Sequence, residues 1–231
     1  MIPGLAASSR SIEWALVQGV IFDLDDTLLL SEQLYADAFA EALHGQSLPT
    51  PGDVLSGLAG LSEDAVVELL SRRLPGLDRS RFRSDYDRLL TESRPHSPVH
   101  RDGSVELLDR LGDRALPLAV ATSARRHHAL QHLEAAGLLP RFAAVLTADD
   151  VDHPKPSPDL YIAAARAIDR SPAHCLAVED SITGVRAARS AGCQVAYVPL
   201  ANGEDALSID HPNCATFNSL NDVAEALLGS R

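Results

Sequence analysis

The chain is poor in cysteine, with three residues, Cys175, Cys193 and Cys214, widely spaced and without a CxxC pair. Neither a disulfide framework nor a zinc site is expected from them, and a reducing compartment such as the cytoplasm fits. Basic residues are also scarce: 20 Lys and Arg stand against 32 Asp and Glu, a formal net charge of −12 at pH 7. Such a surface repels phosphodiester backbones and anionic lipid, so no nucleic-acid partner and no membrane partner is expected. No apolar run approaches the roughly 18 residues of a membrane span, and the first residues lack a cationic stretch followed by a continuous apolar one. The segment 1–18 therefore reads as an extension packed on the surface, with Trp14, the single tryptophan, as its anchor.

What is present is ordinary globular material: 231 residues, 45% hydrophobic and 23% charged, without a low-complexity tract or internal repeat. A monomer is the default expectation. Five short apolar runs, GVIFDL (19–24), ALPLAVAT (115–122), FAAVLTA (142–148), HCLAVED (174–180) and CQVAYVP (193–199), have the composition of strands buried on both faces. Helical patterns separate the later ones: GSVELLDRLGD behind a possible Asp102 cap, RRHHALQHLEAAG ending at Gly137, SPDLYIAAARAI, and SITGVRAARSAG running into Gly192. Strands alternating with helices predict an α/β fold, a Rossmann-like doubly wound parallel sheet with its site at the carboxyl ends of the strands.

Residues 31–100 break that alternation, because three segments there carry apolar residues at helical spacing with no strand between them. The expected organisation is an α/β core from residues 1–30 and 101–231, with an all-helical cap inserted over 31–100.

The first run ends in DLDDT, which sets Asp23, Asp25 and Asp26 within four positions. An aspartate at a strand end is often only a turn former. The other strand ends argue for more. The second run ends at Thr122 and Ser123, the loop after the third holds Lys155, and the fourth ends at Glu179 and Asp180. In a parallel sheet these tips share one edge, where clustered carboxylates repel unless a cation neutralises them, and hard oxygen donors select Mg²⁺.

DLDDT, Thr122 in VATSA, Lys155 in KPSPD, and EDS followed by GVRAARSAG resemble, in order, the four motifs of the haloacid dehalogenase superfamily. The likeness is to its β-phosphoglucomutase-like phosphatase branch, with an α-helical cap between the first two motifs, and it runs from Val20 to about Leu228. The resemblance implies that Asp23 is the nucleophile that becomes an aspartyl phosphate. It makes Asp25 the group that protonates the leaving oxygen and later deprotonates water. Mg²⁺ would be held by Asp23, Asp180 and the backbone carbonyl of Asp25, with Glu179 acting through a bound water. Thr122, Ser123 and Lys155 would bind the phosphoryl oxygens. A dehalogenase is disfavoured, because that branch lacks the second aspartate.

Other residues receive plainer readings. Asp26, where many relatives carry glycine, reads as a solvated turn residue, Leu30 stands where relatives often have aspartate, and His127 and His128 read as surface residues at a helix start. Asp149 and Asp150 read as turn caps, Gly184 as a helix-packing residue, and the cysteines as core. Arg72, Arg73, Arg81 and Arg83 read as solvated cap residues. His100 and Arg101 lie where the return linker approaches the site.

The stretch LAGLSEDAVVEL resembles the cap's specificity loop, but Ala59 and Glu63 stand where that branch keeps a basic residue to grip a phosphate. This favours hydrolysis over the alternative, a phosphomutase of the β-phosphoglucomutase type. A catalytically inert binding module is a further alternative, weakened by the presence of every motif residue. The tail SIDHPNCATFNSLNDVAEAL resembles sugar-phosphate phosphatases. The expected substrates are small phosphorylated metabolites, sugar phosphates or phosphorylated sugar acids such as 6-phosphogluconate.

Overall fold

Residues 12–50, 63–92, 99–200 and 213–229 are described in a computed structural model of the chain. Its strands are β1 (Gly19–Phe22), β2 (Leu29–Leu30), β3 (Val99–His100), β4 (Leu118–Ala121), β5 (Ala144–Leu146), β6 (Cys175–Glu179), β7 (Gln194–Tyr197) and β8 (Cys214–Thr216). Six of them form one parallel sheet in the order β5-β4-β1-β6-β7-β8. The chain starts in the middle, winds outward to β5, then crosses back beside β1 and winds the other way. That reversal is the topological switch point at which open α/β sheets hold their ligands.

β1, β4, β6 and β7 are buried at every residue, as their continuous Val, Ile, Ala and Leu content requires of strands covered on both faces. The third run departs from that expectation. As the edge strand β5 it has a neighbour on one side only, and its residues are half-buried. β8, the sixth strand, went unforeseen because three residues carry too little pattern to separate from a loop.

The helices are α1 (Glu32–His44), α2 (Glu63–Arg73), α3 (Arg79–Glu92), α4 (Ser104–Gly112), α5 (Arg126–Ala135), α6 (Asp159–Ala167), α7 (Ile182–Ala191) and α8 (Leu220–Gly229). One apolar cluster covers a face of the sheet with residues such as Phe22, Leu107, Leu111, Leu133 and Leu220. A second covers the other with Ile21, Leu160, Tyr161, Val185 and Val195. The expected Asp102 cap is not used. Gly103 is the N-cap of α4 at φ 82°, and a Cβ there would lie 2.9 Å from Asn221 Oδ1, so both backbone and space require glycine. Gly192 caps α7 at φ 90°, as expected.

Helices α1, α2 and α3 bury a separate cluster, Phe39, Leu43, Val67, Leu70, Phe82 and Leu90 among its members. Phe39 and Leu43 lie four positions apart, Val67 and Leu70 three, and Phe82 and Leu90 eight, spacings that set each pair on one stripe of its helix. Phe82 packs edge-on against Phe39 and flat against Tyr86, each at 5.6 Å between centroids. Burying a side chain of this size stabilises by roughly 1.5–3 kcal/mol, so Phe82→Ala would loosen all three helices. The helical cap joins the core beside the antiparallel β2–β3 pair. Trp14 packs edge-on to Phe217 at 6.1 Å, and residues 1–11 of the expected extension lie outside the described residues. No helix among the described residues is long and apolar enough to cross a membrane.

Candidate active site

Because β1, β4 and β6 run parallel side by side, their carboxyl ends deliver Asp23, Thr122 and the Glu179–Asp180 pair to one edge. The backbone N–H of Asp23 donates to Val178 O at 3.0 Å and fixes the level at which β1 leaves the sheet. Lys155 reaches the same place from the loop between β5 and α6, with its Nζ 2.6 Å from Asp23 Oδ1 and 2.6 Å from Glu179 Oε1. Lys155 and Asp23 are 132 positions apart in the chain.

Glu179 is fully buried and surrounded by donors. Tyr161 donates its hydroxyl to Oε1 at 2.6 Å, and the Ser181 hydroxyl and backbone N–H reach Oε2 at 3.1 and 3.3 Å. Gly184 leaves the room for this arrangement, since a Cβ there would fall 1.7 Å from Glu179 Oε1. The glycine expected to pack one helix closely thus accommodates a carboxylate.

Asp25 is half-buried two residues after Asp23. Its Oδ1 accepts from Ser31 Oγ at 2.8 Å, and its Oδ2 faces Thr122 Oγ1 at 3.4 Å. The buried hydroxyl of Tyr35, on cap helix α1, is raised well above the usual phenol range, by burial first and the charge of Asp25 second. Thr122 and Ser123 are both buried, and Thr122 Oγ1 accepts from the Ala124 amide at 3.0 Å. Asp180 Oδ1 accepts from Thr27 Oγ1 at 2.9 Å.

Burial dominates the electrostatics. It pushes the Asp23 carboxyl well above the usual range; Lys155 opposes that, while Glu179, Asp180 and Asp25 add to it. Asp180 is pushed up to about 8, by burial first and then by Glu179 and Asp26. Burial alone would lower the Lys155 ammonium, but Asp23 and Glu179 outweigh it and hold the group charged.

One carboxylate oxygen each from Asp23, Glu179 and Asp180 lies within 4.8 Å of the others. Lys155 and, near Asp180, Arg101 offset part of the charge that these three acids carry when ionised. An all-oxygen donor set of this charge fits a hard divalent cation. The carboxylate of Asp25 is not in that group.

Several residues differ from their sequence reading. Asp26 is more than a solvated turn: it sits at φ 58°, its Oδ1 accepts from Ser31 N at 2.9 Å, and its carbonyl accepts from Arg101 at 2.7 Å. Arg101 is buried beneath the loop, with a second bond to Pro199 O at 2.9 Å, while His100 turns away to Ala136 O at 3.0 Å. His128 is buried, and both it and His127 face Asp87 of the cap instead of the crevice. Asp150 caps as expected, accepting from Thr147 N at 2.8 Å, and Asp149 accepts from Arg126 N at 2.8 Å. Arg72 and Arg81 are solvated on the cap. Ala59 and the rest of 58–62 lie outside the described residues, and Glu63 is the first residue of α2.

Sequence reasoning passed over Tyr161 and Ser31. The available signal for Tyr161 was weak: a phenol on the sheet-facing stripe of α6 must find a polar partner for its tip.

The haloacid dehalogenase-like hydrolase profile matches residues 17–192, from the strand before Asp23 to the helix after Asp180. YhcW of Bacillus subtilis strain 168 is 34% identical over 196 residues, 80% of this chain and 84% of that protein. The phosphorylated carbohydrates phosphatase of Thermotoga maritima is 28% identical over 186 residues, 78% of this chain and 84% of that one. Among solved structures, CbbY from Rhodobacter sphaeroides in complex with phosphate superposes with a TM-score of 0.77 at 22% identity, covering 90% of this chain and 96% of that one, a likeness of fold. The chain belongs to the haloacid dehalogenase-like hydrolase family, on its phosphatase side.

Proposed function

We propose that this hydrolase is a Mg²⁺-dependent phosphatase of small phosphorylated metabolites, sugar phosphates or phosphorylated sugar acids, working through an aspartyl phosphate on Asp23. The observation that carries the reading is the position of Lys155 Nζ, 2.6 Å from Asp23 Oδ1, within the carboxylate group at the switch point. A lysine there orients the nucleophilic oxygen and, with two of its three N–H donors given to Asp23 and Glu179, offers the third to a phosphoryl group. Thr122 and Ser123, just past β4 at the same edge of the sheet, would be further donors.

Asp23 attacks phosphorus, and the bond to the leaving oxygen breaks. Asp25, held by Ser31, gives that oxygen its proton and later takes one from the water that hydrolyses the aspartyl phosphate. Asp23, Asp180 and the Asp25 carbonyl would hold Mg²⁺, with Glu179 in support. The ion would offset the repulsion between a carboxylate and a phosphate dianion. The substrate class rests on the Thermotoga relative, named for phosphorylated carbohydrates, and on the tail's resemblance to sugar-phosphate phosphatases.

The test is phosphate release from p-nitrophenyl phosphate, then from a panel of phosphosugars and phosphorylated sugar acids including 6-phosphogluconate, with Mg²⁺ and with chelator. Metal-dependent turnover that vanishes in Asp23→Asn is expected. Full activity in that variant, or turnover indifferent to metal, overturns the reading. An isomerised sugar phosphate without free phosphate would identify a mutase instead.

A further inference from the structure

The two histidines at the start of α5 meet a carboxylate from a different body of the protein. His127 Nε2 lies 2.9 Å and His128 Nε2 3.2 Å from Oδ1 of Asp87 on cap helix α3. The imidazole rings are 3.9 Å apart between centroids and inclined at 47°. Consecutive residues of a helix point about 100° apart, so rings this close, with both Nε2 atoms within 3.2 Å of one oxygen, are a particular arrangement. One donor atom from each of the three residues lies within 4.8 Å of the others.

From this geometry we propose a second metal site, at Asp87, His127 and His128, that takes a borderline divalent cation of the Zn²⁺, Co²⁺ or Ni²⁺ type and ties the cap to the core. Two imidazole nitrogens and one carboxylate oxygen are a donor set for these ions, whereas the all-oxygen carboxylates around Asp23 suit a hard cation. The two sites therefore sort metals by chemistry.

Burial supports a site with an inner wall and an open mouth. The His128 side chain is 4% exposed, while those of His127 and Asp87 are 50% and 47% exposed, which leaves water access to a fourth position. Neighbouring charges are already engaged. Arg126 pairs with Asp150, and Arg83 and Arg125 both approach Asp64 of α2, the latter at 3.7 Å, continuing the cap–core seam. Because Asp87 belongs to the cap and the histidines to the core, occupation of the site resists cap opening. In enzymes whose release step needs a lid to move, holding the lid shut slows turnover.

The experiment uses the full chain, stripped of metal and kept in excess Mg²⁺ so that the carboxylates around Asp23 are filled. Co²⁺ is titrated while its d–d absorption is recorded, and Zn²⁺ stoichiometry is measured by equilibrium dialysis. One equivalent per chain is expected, with a cobalt spectrum of nitrogen ligation. His127→Gln and Asp87→Asn should each weaken binding by about tenfold or more, the scale on which lesser changes around metal ligands already act. Both side chains are half exposed, and an unchanged melting temperature shows that each variant is folded. Failure of the wild-type chain to bind beyond the Mg²⁺-filled site overturns the proposal, as does equal binding by His127→Gln. If His127→Gln weakens binding and Asp87→Asn does not, the ion belongs to the core helix alone and the bridge is refuted. None of these outcomes depends on whether the chain hydrolyses phosphate esters.

Discussion

Lys155 and Glu179 form a fully buried ion pair, Nζ to Oε1 at 2.6 Å, and the same ammonium reaches Asp23 at 2.6 Å. The lysine therefore does two jobs: it neutralises part of a buried acidic group and fixes the orientation of Asp23, the proposed nucleophile. Lys155→Met should abolish activity in a phosphate-release assay. It should also cost roughly 3–5 kcal/mol of stability, because it strands buried carboxylates. A melt in the presence and absence of Mg²⁺ checks this, and a variant as stable as the parent would show that Glu179 needs no cationic partner.

Glu179 is positioned by packing as much as by charge. Gly184→Ala would drive a methyl to within 1.7 Å of Glu179 Oε1 and 2.0 Å of its Cδ, so the carboxylate must leave its donors or helix α7 must move. A loss of about 1–3 kcal/mol and a large fall in kcat are expected. Tyr161→Phe removes one hydroxyl from the same oxygen without a clash. It should cost about 1.5–3 kcal/mol, with a smaller effect on kcat. Chemical denaturation and steady-state kinetics on the two variants separate displacement of Glu179 from loss of one hydrogen bond.

How far the sequence reached follows from which signals are local. Asp23, Thr122, Lys155 and Asp180 were legible because each follows an apolar run or stands in a Pro-rich loop after one, and a parallel sheet carries such ends to one edge. The partners of Glu179 were not. Tyr161 and Gly184 lie inside helices, where nothing in the pattern distinguishes a residue that contacts a carboxylate from one that packs a core. Arg101 was read as waiting at a linker, whereas it is buried against two carbonyls. Its role depends on how the return from the cap crosses the loop after β1, and no local spacing encodes that crossing.

Metal removal should expose the strain of the acidic group in a pH-dependent way. The Asp180 carboxyl, raised to about 8 chiefly by burial, binds a proton in the folded chain that it releases in the unfolded one. Its contribution to stability is complete below the ordinary carboxylate pKa, near 3.8, and is lost as pH rises through about 8. In chelator the melting temperature should fall between about pH 5 and about pH 9, and the stabilisation by Mg²⁺ should grow over the same range, because the ion displaces that proton. An increment from Mg²⁺ that is equal at both ends of the range would contradict the assignment of Asp180 as a ligand.

The thiols test the reading of the cysteines as core. Cys175 and Cys214 are each pushed up to about 11, chiefly by burial, and burial raises Cys193 further. A thiol must be both reachable and ionised to react. The native chain at about pH 8 should react with Ellman's reagent at no cysteine on the timescale in which denatured chain reacts at all three. Rapid native labelling would place at least one thiol at the surface.

Asp26 combines a backbone requirement with a side-chain one, and three substitutions tell them apart. At φ 58° any residue with a Cβ is disfavoured, glycine is not, and asparagine is the best tolerated of the others. The carboxylate also accepts the Ser31 N–H at the start of α1, next to the Ser31 hydroxyl that holds Asp25. Asp26→Asn keeps both features and should remain close to the parent in stability. Asp26→Gly relieves the backbone but frees the Ser31 amide, and Asp26→Ala loses on both counts, so the alanine variant should be less stable than the glycine variant by about 1 kcal/mol. Denaturation midpoints for the three give the order. Should alanine match glycine, the left-handed backbone at Asp26 would carry no cost.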